Sequence, residues 1–396
     1  MKQAIENLKQ EVRHVLTENI LSYWIKTVDE ECGGFYGQIT GMDKLMPKAT
    51  KGAILNARIL WTFSAAYRLL GRKEYLVIAN RAKRVIIDSF YDEEFGGIYW
   101  SLDYKNQPLD TKKQIYAIAF AMYGLSEFYR ATADEEALSY AIQLFECIES
   151  HSFDRIGNGY YEAFTREWDE IADMRLSEKD ANEKKTMNTH LHILEAYTSL
   201  YRVWKDIRLG RQLHNLILIF TERIVDHSSY HLRLFFDNEW NSSHQIISYG
   251  HDIEASWLIH EAALELGDDN VLMEIEPIIK KIAIAASEGF SAQGMIYESH
   301  QELKTVDNER HWWVQAETVV GYLNIYQYFG DESALKKVFD CWSFIKTHLI
   351  DWEHGEWYWS VRADFSINRE DDKVGFWKCP YHNSRMCMEV IERLLL

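Results

Sequence analysis

The stretch F-G-G-I-Y-W, Phe95 to Trp100, decides how this chain is read. Its glycine-then-aromatic pattern returns as C-G-G-F-Y-G at Cys32 to Gly37 and G-N-G-Y-Y-E at Gly157 to Glu162. It returns again as Q-G-M-I-Y-E at Gln293 to Glu298 and H-G-E-W-Y-W at His354 to Trp359. Gly34 and Gly97 are 63 residues apart, Gly97 and Gly159 are 62, and Gly294 and Gly355 are 61. The 135 residues from Gly159 to Gly294 leave room for one degenerate copy, and H-L-R-L-F-F-D at His231 to Asp237 fits there without its glycine. Six units of about sixty residues signal a stacked or closed array of one supersecondary element.

Between these turns the chain reads as paired helices. Apolar residues at i, i+3 and i+4 predict helices over 3–20, 52–71, 74–90, 113–131, 134–150, 186–204, 209–226, 248–266, 269–286, 312–329, 332–348 and 380–395. Turn signals such as L-G-R-K at 70–73 and F-G-D-E at 329–332 mark the joints. Proline occurs only four times, which suits uninterrupted helices. No shift in composition divides the chain. The fold class expected is all-α: a single (α/α)6 barrel of six helical hairpins, one catalytic domain over 1–396. An open α-solenoid is the alternative. The small number of units, and polar motifs concentrated on alternate helices, favour closure. The charged segment L-S-E-K-D-A-N-E-K-K, Leu176 to Lys185, reads as an exposed loop, with a moving lid as the lesser alternative.

Composition bounds the function classes. Hydrophobic residues make up 47% of 396, enough for a large core. A formal charge of −18 disfavours nucleic acid and anionic membrane, which need a basic footprint. Five cysteines without C-x-x-C spacing argue against a disulfide framework or a structural zinc site. No signal peptide and no spanning apolar run are read from the sequence, so a cytoplasmic enzyme is expected. The 14 tryptophans and 23 tyrosines fit either a large core or stacking platforms for sugar rings.

The even-numbered helices carry polar residues near their starts. They are Arg58 in I-L-N-A-R-I-L-W, Tyr116 in K-Q-I-Y-A-I-A-F, Asn188 and His192 in M-N-T-H-L-H-I-L-E-A-Y, and His251 and Glu254 in S-Y-G-H-D-I-E-A-S-W. R-H-W-W-V-Q-A-E adds Trp312, Trp313 and Glu317, and W-K-C-P-Y-H-N-S-R adds Trp377, His382 and Arg385. If the inner helices of a barrel alternate with outer ones, these N-termini ring one end. Taken singly, each residue also has a structural reading: Arg58 as a salt-bridged residue, His190 and His192 as core histidines, Glu254 and Glu317 as buried partners of arginine, Trp313 as core. The histidine spacing lacks H-E-x-x-H, and no metal is expected. Two imidazoles titrate near neutral pH, so one can take a proton from a carbon while the other returns one to its opposite face. The carbon must be acidic, as C2 of an open-chain aldose is. Its enediolate needs fixed positive groups, for which Arg58 and His192 are the candidates, and helix N-termini add a favourable field.

At M-N-T-H-L-H-I-L-E-A-Y, S-Y-G-H-D-I-E-A-S-W, W-W-V-Q-A-E and W-K-C-P-Y-H-N-S-R the sequence resembles the N-acylglucosamine 2-epimerase superfamily, and most closely its cellobiose 2-epimerase branch. The resemblance covers nearly the whole chain. It implies an (α/α)6 barrel and 2-epimerisation of the reducing-end glucose of β-1,4-linked disaccharides to mannose, cellobiose and lactose among them. It implies no metal, nucleotide or redox cofactor and an oligosaccharide as the partner, and a monomer is the oligomeric state expected. His251 and His382 look like the acid/base pair, and Arg58 and His192 like the groups that steady the enediolate. Tyr116 and Asn188 look like contacts to the reducing-end sugar. Glu254 and Glu317 look like hydroxyl-binding carboxylates or supports behind the site, and Trp312, Trp313 and Trp377 like stacking or lining residues. The rivals are an aldose–ketose isomerase or a monosaccharide or N-acylglucosamine 2-epimerase on the same scaffold, a glycoside hydrolase using Glu254 and Glu317, and a sugar-binding protein without turnover.

Overall fold

A helix that is apolar on every face must be wrapped by others, and alternate helices of this chain are of that kind. The structure, a computed structural model, describes residues 2–394. In α2 (Ala53–Leu70) every residue from Ala53 to Ala66 is buried, and in α4 (Ile115–Thr132) every residue from Ile115 to Phe128. The other inner helices are α6 (Met187–Val203), α8 (Tyr249–Leu266), α10 (Trp312–Phe329) and α12 (Tyr381–Arg393). The outer helices bury one stripe each. They are α1 (Lys2–His14), α3 (Lys73–Val85), α5 (Glu135–Cys147), α7 (Ile207–Ile219), α9 (Asp269–Ala286) and α11 (Glu332–Phe344). Leu209, Leu213, Leu216 and Ile217 form that stripe in α7 at helical spacing.

Each inner helix packs on the next, and α12 packs on α2. That last contact closes the ring and excludes the open solenoid. Each outer helix lies against an inner neighbour, α1 against α12. The first helix runs further than the 3–20 of the sequence reading, while α9 keeps its predicted span of 269–286. The first helix continues through a wider π-type stretch, Val15–Leu21, into Ser22–Ile25. Pro277 falls inside α9, where it is exposed and the helix runs through it.

The two ends of the barrel are built differently. At one end, α2, α4, α8 and α10 stop at left-handed residues, Gly71, Ala133, Gly267 and Gly330. The next outer helix then starts from an aspartate N-cap in three of these four joints: Asp134, Asp268 and Asp331. At the other end the Gly-aromatic motifs fold as hairpins, and short strands lace neighbouring units together. Lys51–Gly52 pairs with Ser101–Leu102, Lys113–Gln114 with Ala163–Phe164, and Lys185–Thr186 with Phe235–Phe236. Ile246–Ser248 pairs with Glu298–His300 and Arg310–His311 with Ser360–Val361, while a bridge from Ile39 to Val374 completes the circle. Buried lysines clamp four of the turns: Lys51 to Asp29 at 3.0 Å, Lys113 to Asp92 and Lys185 to Asp154 at 2.8 Å, and Lys373 to Asp351 at 2.6 Å. The degenerate copy keeps its hairpin, with Val225 bridging Leu232 and Tyr230 supplying the left-handed residue at φ 63°.

Candidate active site

The laced end is where all six inner helices begin, so their first turns converge there. A cavity of about 430 Å³ opens between them. Arg58 of α2, Tyr116 of α4, Asn188 and His192 of α6, and His251 and Glu254 of α8 line it. Trp312 and Trp313 of α10, His382 of α12 and Trp377 just before α12 complete this set. Glu317 does not reach the cavity. It is fully buried behind His382 and accepts from its Nδ1 at 2.7 Å.

Local features aim these side chains. The start of α6 is held by Glu162, whose carboxyl accepts from Thr186 N at 3.0 Å, Thr186 Oγ1 at 2.8 Å and Thr189 Oγ1 at 2.7 Å. Gly250 lies in the first turn of α8. A Cβ there would come within 2.7 Å of the Trp313 ring, so glycine lets Trp313 slide against the turn that carries His251. The Trp313 ring then contacts both imidazoles, with centroids 4.8 Å from His251 and 5.7 Å from His382. Gly52 gives the same close approach to Phe376, which seats the Trp377 segment over the start of α2.

The sequence reading missed part of the wall. Leu176 to Asp180 line the cavity, so this segment is more than a solvated surface loop. Gln114 donates to the carbonyls of Met174 and Arg175, and Ser177 N donates to Asp180 at 2.9 Å, which fixes the segment against the rim. Tyr297 and Trp359 also line the cavity. Both belong to repeat motifs that are legible as architecture, and nothing in their spacing marks them as site residues. His190 points away: its Nδ1 meets Thr186 O at 2.6 Å and its Nε2 accepts from Tyr160 N, a histidine of the core.

The imidazoles are set by what holds their Nδ1 atoms. His382 donates to Glu317, His192 donates to Glu195 Oε2 at 2.9 Å, and His251 meets Ser248 Oγ at 2.8 Å. Carboxylates only accept, so His382 and His192 carry a proton on Nδ1 and keep Nε2 for the cavity. Burial pushes the proton affinity of all three rings down. His251 falls to about 3, chiefly through desolvation and secondly through His192. His382 falls well below the usual range through burial and then Arg58 and Arg385. His192 is lowered by burial, with Glu195 opposing. Burial alone would raise the Glu195 carboxyl, yet Arg385, followed by His192, holds it at about 2.

Arg58 is buried, and its neighbours are uncharged. Its Nη2 donates to Tyr116 Oη at 2.9 Å, Nη1 approaches Cys379 Sγ at 3.7 Å, and Nε has no partner among the described residues. The guanidinium lies over Phe120 at 4.2 Å and Tyr381 at 5.0 Å. Arg385, by contrast, is surrounded by acids. Its Nη2 donates to Glu317 at 2.7 Å and Glu254 at 2.9 Å, and its Nη1 to Glu195. Glu254, Glu317 and His382 bring three potential metal-ligand atoms within 4.8 Å of one another, and the cation lodged against both carboxylates is this guanidinium. Three carboxylates against two guanidiniums leave one negative charge when the imidazoles are neutral. One proton cancels it, and the Glu254 carboxyl, raised well above the ordinary range by burial and then by Glu317, is placed to hold it. A second cavity, of about 250 Å³ at the opposite end, is walled by closed ion pairs such as Arg68 with Glu127 and Arg202 with Glu261.

The family model described as N-acylglucosamine 2-epimerase (GlcNAc 2-epimerase) matches residues 34–384. The chain belongs to the N-acylglucosamine 2-epimerase family. Within it, the chain is 68% identical over 388 residues to a cellobiose 2-epimerase of Bacteroides fragilis, covering 98% of this chain and 99% of that one. It is 42% identical to a cellobiose 2-epimerase of Ruminococcus albus, covering 97% and 98%. The solved structure of cellobiose 2-epimerase from Bacillus thermoamylovorans superimposes with a TM-score of 0.93 at 42% identity, over 99% of this chain and 100% of that one. Family membership thus agrees with the barrel, and the polar end of that barrel is where its chemistry has to be sought.

Proposed function

We propose that this protein is a cellobiose 2-epimerase, interconverting the reducing-end glucose and mannose of β-1,4-linked disaccharides. The observation that carries the reading is His251 and His382 lining one cavity with Arg58, a buried cation without an acidic partner among the described residues. The full-length likeness to enzymes of that name supports the substrate class.

In this reading the ring opens first: C1–O5 breaks, O1 gives up its proton and O5 gains one. One imidazole then takes the C2 proton on Nε2. The electron pair left behind forms C1=C2, and the charge settles on O1, where Arg58 is the cation that meets it. Rotation about C2–C3 presents the opposite face. The other imidazole delivers its proton to C2, C1=O1 re-forms and the ring closes. The imidazole that returns a proton to C2 must carry one on Nε2 at that step, and the proton that the buried cluster keeps at Glu254 is the one available to it. His192, with Glu195 behind it, is the base that takes the O1 proton on Nε2 and hands it to O5 as C1–O5 breaks, and it reverses the transfer as the ring closes. Tyr116, Asn188 and Glu254 contact sugar hydroxyls, and Trp312, Trp313 and Trp377 form the walls against which the rings stack. Glu317 acts from behind His382. The enzyme is further read as a cytoplasmic monomer acting as one catalytic unit without nucleic-acid partners. Among the described residues no helix is long and apolar enough to cross a membrane.

The test is incubation with cellobiose, lactose, mannose and N-acetylglucosamine, followed by separation of the products. Glucosyl-mannose and epilactose are expected. Ketose as the main product, or free glucose from cellobiose, contradicts the reading.

A further inference from the structure

Arg385 lies one layer below the cavity, is 1% exposed, and is absent from the cavity wall. Its side chain stacks between Tyr381 at 4.3 Å and Trp257 at 4.7 Å, which leaves both amino ends of its fork free for acids. Those ends serve different histidines. Nη2 holds Glu317, whose Oε1 takes Nδ1–H of His382. Nη1 holds Glu195 Oε1, while the other oxygen of that carboxylate takes Nδ1–H of His192. Tyr381 donates to that same Oε1, so two donors hold one oxygen of the carboxylate while His192 takes the other.

We propose that Arg385 is the positioning residue that sets two site imidazoles at once, fixing His192 and His382 with Nε2 toward the sugar and their protons on Nδ1. The proposal deepens the epimerase reading and rests on it for the reaction concerned. A bidentate, planar cation suits the task because its hydrogen bonds impose direction as well as charge. Lysine offers a point charge and cannot hold Glu195, Glu254 and Glu317 in fixed directions.

The groups around the two rings decide the sign of the electrostatic effect. α2 contributes Arg58, α4 the neutral phenols of Tyr116 and Tyr123, and α8 His251 with Glu254. Glu317 comes from α10, Glu195 from α6, and Tyr381 from α12 beside Arg385 itself. Arg385 is one of only two guanidiniums in this set, and its charge depresses proton affinity at both His382 and His192. Replacing it by a neutral side chain removes one positive charge and leaves Arg58 as the one guanidinium balancing the cluster of Glu195, Glu254 and Glu317. Both imidazoles must then hold protons more tightly, and the base needed at C2 is lost at a higher pH.

Three measurements test this. Nitrogen NMR of histidine-labelled wild-type protein, without sugar, reads the tautomers directly. Nδ1 protonated in both His192 and His382 is expected, and a bare Nδ1 in either overturns the proposal. Arg385→Lys is expected to lower kcat by about 10²-fold or more, the scale of a misplacement near 1 Å, with KM changed less than about threefold and the acid limb of kcat/KM in place. Arg385→Met is expected to move that limb to higher pH, which a purely structural role would not do. Wild-type kcat in Arg385→Lys, or an unmoved limb in folded Arg385→Met, overturns it. If Arg385→Met fails to fold, the tautomers and Arg385→Lys decide. The NMR arm needs no turnover, so a failure of the epimerase reading is seen separately, as an unchanged disaccharide with the tautomers as expected.

Discussion

Arg58 Nη2 donates to Tyr116 Oη at 2.9 Å, and this neutral phenol is the strongest polar contact the guanidinium makes among the described residues. A buried cation normally carries a counter-charge, because its desolvation cost is otherwise uncompensated. The site keeps one cation unpaired next to another, Arg385, that is saturated with carboxylates. The unpaired one faces the place where an enediolate oxygen forms. Arg58→Met is therefore expected to lower kcat by about 10²–10³-fold, the range for removal of a fixed oxyanion donor, while Tm stays level or rises. Steady-state kinetics with a thermal melt checks both halves. A large loss of Tm with kcat preserved contradicts the assignment.

His251→Ala and His382→Ala address the acid/base pair. Each is expected to reduce kcat/KM by about 10²–10⁴-fold with the far-ultraviolet dichroism of a folded helical barrel retained. More than about a tenth of the wild-type rate in either variant removes that residue from the pair.

The buried histidines make a prediction about stability and pH. His190 and His260 are each held at about 4, and His251 at about 3, in every case first through desolvation. Unfolded histidine titrates near 6.5. Between about 6.5 and 4 the unfolded chain therefore binds more protons than the native one, and stability falls as pH falls. Above 6.5 these groups contribute no slope. Glu162, pushed up to about 8 by burial, opposes this slope, because between about 8 and 4.5 the native chain holds its proton and the unfolded chain does not. The histidine share is therefore read as a difference: the change of Tm from pH 6.5 to pH 5 is expected to be less negative in His260→Phe than in the wild type, and an identical change contradicts the burial of a neutral ring there.

Lys51 and Asp29 are both 1% exposed and 3.0 Å apart. The lysine also donates to Gly33 O at 2.7 Å, and so ties the first hairpin to the strand that leads into α2. Lys51→Met strands the carboxylate, and a loss of about 3–5 kcal/mol is expected, read by denaturant unfolding. A change below about 1 kcal/mol shows that the clamp contributes little.

Much of this was legible in the sequence, for identifiable reasons. The Gly-aromatic spacing carries the six-fold repeat because each hairpin needs left-handed residues, and glycine supplies most of them. The copy without glycine was readable only by its spacing, since Tyr230 takes that conformation without announcing it. Of the eleven residues given a role in the site, ten line one cavity because they lie on, or in the case of Trp377 just before, the first turns of helices that all start at the same end. Glu317 shares that position yet points behind His382, and helical spacing does not separate the two outcomes. Glu195 was passed over because it lies three residues beyond His192 in an otherwise apolar run, where its partner Arg385 is 190 residues away. The Leu176–Asp180 wall was not recoverable either, since a charged loop looks alike whether it faces water or folds over a cleft.

The most direct test is turnover of cellobiose in deuterated water, with the products separated and the position of the label read by NMR. Deuterium at C2 of glucosyl-mannose, and at C2 of recovered cellobiose as the reaction nears equilibrium, is the predicted result. Mannose-type product with protium retained at C2, label delivered to C1 of a ketose, or cleavage to unlabelled glucose would each contradict proton transfer at that carbon by His251 and His382.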